Sequence, residues 1–208
     1  MEEPPEETKP LPALPSLLGL LIVQAGAFTI IGLALWALSG RSSASFVSFR
    51  PGEIAWGLVL AAVLVIVAFT TFKALPRLSE WLVHAQRDTY AFLLEKPLPL
   101  WAIVIVSLGA GIGEEALFRG GVQTLAGEYM PAPLAIVVAS ALFALVHMAK
   151  PPIAAIIFGI GALFGTIYWQ TGSLLMVMIG HALYDVFAIW YLQKEMHRLG
   201  VVKHAAME

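Results

Sequence analysis

The sequence predicts an all-α fold: a polytopic transmembrane helical bundle of about six spans, with one interfacial amphipathic helix. Three observations carry this reading. Apolar residues fill 59% of the 208 positions and charged residues only 12%, where an average soluble domain has about 25% charged. Mean hydropathy is +0.83. Six apolar runs, roughly 16–39, 53–72, 98–126, 132–149, 152–170 and 174–193, approach the ~20 residues a helix needs to cross a bilayer. Only helices satisfy every backbone group in lipid at these lengths.

The chain opens MEEPPEETKPLPALP, acidic and proline-rich, without the basic stretch of a signal peptide. Residues 1–14 are expected to form a solvated, disordered tail. Residues 15–97 then hold two membrane helices and the segment 73–97, FKALPRLSEWLVHAQRDTYAFLLEK. In that segment Leu78, Trp81, Leu82, Ala85 and Tyr90 make an approximate helical stripe among charges. It reads either as a helix lying on the membrane surface or as a lid over a substrate entrance. Residues 98–193 carry the remaining four runs, with Gly161 and Gly165 as a small-xxx-small pair suited to close helix packing, and 194–208 form a basic tail. Trp36, Trp56, Trp101, Trp169 and Trp190 fall near run ends, as aromatic belts do.

With six crossings, one set of loops holds Lys9, Lys73, Arg77, Arg87, Lys96, Lys150, Lys194, Arg198 and Lys203, and the other holds Arg41 and Arg50. The positive-inside rule then places both termini in the cytoplasm. The expected location is a plasma or inner membrane. A formal charge of −2 offers no footprint for nucleic acid. The absence of cysteine excludes disulfides, thiolate metal ligands and a cysteine nucleophile. A chain of this length has room for one bundle and no second domain.

The run GIGEEALFRG, residues 111–120, places three charges where lipid should lie. Each costs roughly 2.5–3.5 kcal/mol at the bilayer centre on insertion scales, so such groups usually face a protein interior and have a function. Glu115 and Arg119 are four apart with the acid first, the favourable order for a helical ion pair. Glu114 points about 100° away and has no local partner, which suits a general base. Alternatively, Arg119 serves both acids in a purely structural network. His147 ends the fourth run after Phe143, and is either an interfacial or a catalytic histidine. His181 shares a helix face with Asp185, a spacing that permits a ligand pair or a carboxylate-oriented imidazole. Glutamate with two histidines can activate water directly or hold a divalent metal with an open position; both routes lead to hydrolysis. No HExxH and no GxSG-like serine motif is present, and the YD and GxGD echoes at Tyr184-Asp185 and 111–114 stand in reversed order.

EEALFR matches an EExxxR motif, FALVH an FxxxH motif and HALYD an HxxxN/D motif. In this order, on successive helices over roughly 98–193, the chain resembles the CPBP family. These are the CaaX prenyl proteases and bacteriocin-processing or immunity proteins, also called Abi or Rce1-like. The resemblance implies a glutamate-dependent intramembrane endopeptidase whose catalytic core is 98–193, acting on a peptide or prenylated protein substrate. Glu114 would deprotonate water and His147 would help hold it. Glu115 and Arg119 would support the site by pairing, with Phe143 beside them, and His181 and Asp185 would stabilise the oxyanion. The family was long described as metalloproteases. No cofactor is required on this reading, and a divalent metal such as zinc is optional, held by Glu114, His147 and His181 if present.

Many members carry Asn where this chain has Asp185. Asn can donate to an oxyanion and ionised Asp cannot. Asp185 is therefore protonated, or orients His181 as the donor, or favours a metal. Depth poses a second question. Glu114 lies about 24 Å into its helix at 1.5 Å per residue, whereas His147 ends its own, so the two do not meet without a break near Gly109, Gly111 or Gly113, a strong tilt, or a helix that starts outside the lipid. Other function classes are a non-catalytic immunity or regulatory partner, and a proton-relay transporter, for which no inverted repeat is visible.

Overall fold

The computed structural model describes residues 13–87, 89, 90, 93 and 97–201. Nearly all of the acidic tail expected over 1–14, and the basic end at 202–208, lie outside the described residues. Among the described residues, seven helices form the bundle: α1 Leu14–Leu38, α2 Pro51–Ala74, α3 Pro76–Ala85, α4 Leu100–Ala126, α5 Ala132–Val146, α6 Pro151–Thr171 and α7 Leu174–Arg198. Proline opens several of them; at Pro51, Pro76 and Pro151 it occupies the first turn, where its missing N–H has no partner to lose. Gly172 ends α6 at φ +65°, the left-handed cap that glycine takes without penalty. The Ser173 hydroxyl then accepts from the Met176 amide and starts α7.

Among the described residues, five helices are long and apolar enough to cross a membrane, α1, α2, α4, α6 and α7, and α5 is a shorter apolar helix, in line with the expected bundle of about six spans. The run at 132–149 gives a helix of only 15 residues, about 22 Å at 1.5 Å per residue against a hydrocarbon core of about 30 Å. It ends because Met148 takes φ +46°, which no α-helix accommodates.

Helix α7 is the centre of the bundle, with α4 packed on one side and α2 on another; α1 lies against α4, and α5 pairs with α6. Glycines set the spacing. A Cβ on Gly111 would stand 2.6 Å from the Ala182 nitrogen, and one on Gly32 would meet the Ala116 carbonyl, so α4 touches α7 and α1 backbone to backbone. The helix runs unbroken through Gly109, Gly111 and Gly113 to Glu115. Its irregularity comes later, as a π-helical stretch over Ala116–Gln123.

Within the stripe expected at 73–97, Pro76–Ala85 form the ten-residue α3, and residues 88, 91, 92 and 94–96 lie outside the described residues. Ser79 and Val83 are buried, with the Ser79 hydroxyl 3.3 Å from that of Tyr191 and Val83 packed on Leu192 and Met196 of α7. Leu78 and Trp81 face outward. Trp56, Trp101, Trp169 and Trp190 are exposed as belt residues should be, but Trp36 is buried. Its indole donates to the Ser42 carbonyl and its ring packs edge-on against Phe46.

Candidate active site

The site begins where α4 passes into its π-helical stretch. π-turns are rare and concentrate at functional positions. Glu115 is the last residue before it and Arg119 lies within it. Both are fully buried, with Arg119 Nη1 3.1 Å from Glu115 Oε1. That contact is an ion pair rather than an aligned hydrogen bond. Arg119 also donates through Nη2 to the Gly161 carbonyl at 3.0 Å, and its guanidinium stands over Phe143 at 4.6 Å and Phe164 at 5.8 Å. A buried cation needs such compensation on every side. Gly161 and Gly165, read from sequence as a packing pair, do pack closely: Gly161 against Ser140 and Phe143, and Gly165 against Gln123.

Glu115 has a second partner. Its Oε1 lies 2.7 Å from His181 Nδ1. A carboxylate paired with arginine can only accept, so Nδ1–H donates and Nε2 is the working nitrogen. The imidazole is wedged between aromatic rings, stacked on Phe164 at 5.2 Å with planes 15° apart and edge-on to Phe143 at 6.2 Å. Nε2 faces two further carboxylates, Asp185 Oδ2 at 3.4 Å and Glu114 Oε2 at 3.7 Å. Glu115 therefore holds the back of the ring, whereas Asp185 stands at its front. Glu114 and Asp185 keep some exposure, 16% and 24% of their side chains, where Glu115 has none.

His147 caps α5 and points its Nδ1 at the Phe143 carbonyl, 2.7 Å away. A carbonyl only accepts, so Nδ1 carries the proton and Nε2 keeps a free lone pair. His147 and Asp185 both lie close enough to Glu114 to interact with its charge. The depth difficulty dissolves because α5 is short. From Glu114 the chain runs twelve residues on to Ala126, turns, and returns through the fifteen of α5. His147 thus ends its helix close to the level of Glu114.

All seven residues singled out in the sequence converge here; one of them, Phe143, touches Arg119, His147 and His181 together. Two contributors carried no signal of their own: Phe164, an unremarked aromatic between Gly161 and Gly165, and the Gly161 carbonyl. Among the described residues, no three of His, Asp or Glu stand where one metal ion could be held. Each histidine commits Nδ1 to a protein acceptor, which leaves both Nε2 atoms facing the site.

No curated protein and no solved structure matches the chain. A family model does match, that of the type II CAAX prenyl endopeptidases, Rce1-like, over residues 96–187. That stretch runs from the start of α4 past Asp185 and contains every residue of the cluster just described. The family supports a multi-pass membrane endopeptidase with peptide or protein substrates. Over residues 96–187 the chain is similar to the Rce1-like family.

Proposed function

We propose that this chain hydrolyses peptide bonds at the membrane with a water activated by Glu114. The carrying observation is the division between two adjacent acids. Glu115 is committed to Arg119 and His181, while Glu114 keeps an exposed edge and faces both histidines. Glu114 takes a proton from water, whose second hydrogen bond goes to His147 Nε2, as the water oxygen attacks the scissile carbonyl carbon. The carbonyl oxygen becomes an oxyanion that His181, as an imidazolium whose Nδ1–H is held by Glu115, stabilises through Nε2–H. Glu114 then passes its proton to the departing amine nitrogen as the C–N bond breaks. No step runs through a metal.

The substrate this reading favours is a prenylated peptide with a CAAX end, presented from the membrane. Helices α1 to α3 flank a catalytic core over 98–193, and both termini lie in the cytoplasm. The test is cleavage of an internally quenched farnesylated CAAX peptide by purified protein in nanodiscs, with Glu114→Gln alongside and with chelator. Unchanged cleavage by Glu114→Gln sinks the general-base role; loss on chelation alone restores a metal. A wild type that binds the peptide and never cleaves it favours a non-catalytic partner.

A further inference from the structure

Helix α1 carries a polar group with nothing to bond. Between Leu17 and Leu35 its polar side chains are Gln24 and Thr29. The Thr29 hydroxyl donates to the Ala25 carbonyl at 2.8 Å. Gln24, the eleventh of 25 residues and so near the middle of the span, is exposed, and its amide has no hydrogen-bond partner among the described residues. A carboxamide left unpaired in hydrocarbon is costly, and polar side chains inside membrane helices ordinarily find a partner.

The packing of α1 on α4 shows what Gln24 stands beside. Leu18 lies among Ala102 and Ile103. A Cβ on Gly113 would meet the Ala25 backbone at 2.9 Å, and one on Gly32 would meet Ala116. Residue numbers rise together along this seam, so the two helices run parallel. On one side of the seam Phe28 meets Phe118 edge-on at 6.3 Å, Phe118 meets Phe143 at 5.3 Å, and Phe143 meets His147 at 4.7 Å. One turn before Phe28 is Gln24; one turn before Phe118 is Glu114. Residues four apart share a helix face, and parallel helices keep the order. Gln24 and Glu114 therefore flank the same side of the seam at neighbouring levels. Helix α5, which brings His147, packs on the π-helical stretch of α4, and among the described residues α1 and α5 do not pack along each other. The exposed edge of Glu114 lies between these two sides, with Gln24 on the α1 side and His147 on the other.

A peptide that reaches Glu114 past α1 meets the Gln24 carboxamide. That group offers an acceptor and two donors, which match the C=O and N–H of an extended backbone. The chain makes this pairing once already: the Leu98 amide donates to Gln193 Oε1 at 2.8 Å, and Gln193 Nε2 donates to the Leu98 carbonyl at 3.2 Å. We propose that Gln24 is a substrate-binding residue, its carboxamide hydrogen-bonding the peptide backbone beside the scissile bond and holding that bond next to Glu114. The proposal rests on the glutamate-water reading for where the bond is cut.

Gln24→Met keeps the side-chain length in an apolar helix and removes the amide. On the farnesylated CAAX peptide in nanodiscs, KM rises about three- to tenfold, the net effect of one or two hydrogen bonds, while kcat and melting temperature hold, as for a contact made equally before and during reaction. Replacing the peptide bonds beside the scissile bond by esters, one at a time, removes one N–H and weakens one carbonyl. At one of these positions the penalty of Gln24→Met shrinks. No penalty on the parent peptide, or an equal penalty on every ester peptide, would overturn the proposal. A second measurement needs no turnover: affinity for a peptide with CH2–NH in place of the scissile amide weakens by the same factor in Gln24→Met. If Glu114→Gln proves fully active, the water reading falls while this affinity still decides the role of Gln24. Unchanged affinity, with loss of a dimer seen by native mass spectrometry, would assign the amide to a second copy of the chain and overturn the proposal.

Discussion

The cluster has two halves built from neighbouring residues, and they differ in every physical respect. The closed half, Glu115, Arg119, Phe143 and Phe164 with the Gly161 carbonyl, is buried to the last atom. Each charge there is met by a partner or an aromatic face. The open half, Glu114, His147 and Asp185, retains exposure and longer contacts, 3.4 and 3.7 Å to His181. His181 is the hinge between them, gripped at Nδ1 and presented at Nε2. One half fixes geometry and the other is left free to react. A single residue step along α4, from Glu114 to Glu115, crosses the boundary.

If that division is right, substitutions in the two halves fail in different ways. The largest effect belongs to Glu114→Gln, expected to lower kcat by about a hundredfold or more, the usual worth of a general base, with melting in detergent unchanged. Loss of stability with it would move Glu114 into the closed half. Arg119→Met should do the reverse. It strands the buried Glu115 carboxylate, and breaking a buried pair costs about 3–5 kcal/mol, seen as a lower unfolding midpoint before any assay is run. A variant that melts like wild type and loses only activity would refute the structural role.

Gly111→Val probes the frame that joins the halves. Its Cβ would fall 2.6 Å from the Ala182 backbone, so α4 and α7 must separate and carry Glu115 away from His181. Overpacking of this kind costs about 1–3 kcal/mol; activity should fall with stability, and wild-type values for both would show that the helices can slide. Asp185→Asn is milder: kcat should hold or rise, since an amide can donate to the oxyanion where a carboxylate cannot. A strong loss would make Asp185 a required acid.

The sequence made the closed half partly legible. Glu115 and Arg119 are four apart, and local spacing alone pairs them. The same rule offered Asp185 as the partner that orients His181. It could not show that Glu115, 66 positions away, takes Nδ1 and leaves Asp185 at the front. Long-range contacts of this kind depend on how close two helices come, which here rests on Gly111 meeting Ala182. The shortness of the apolar helix α5 was hidden for a related reason. Hydropathy continues through 147–149, whereas the helix stops at a backbone turn that composition does not mark. The π-stretch was equally hidden, because it changes the winding of α4 without changing its hydrophobic pattern.

That backbone turn gives the smallest and most discriminating prediction. Met148 holds φ +46° directly after His147, with a side chain 91% exposed. Left-handed backbone costs a non-glycine residue about 1–2 kcal/mol, against which the Met148 amide donates one hydrogen bond to the Leu145 carbonyl at 3.1 Å. Met148→Gly removes that strain but adds freedom to the unfolded chain worth about 0.4–1 kcal/mol, so melting should change little and His147 should stay in place. Met148→Val cannot take the turn easily, because branching at Cβ crowds the left-handed region further. It should unseat His147 and lower kcat while the closed half, and hence most of the stability, survives. Equal activity in the glycine and valine variants would mean that the turn does not position His147. The histidine would then owe its place to the Phe143 carbonyl and ring alone.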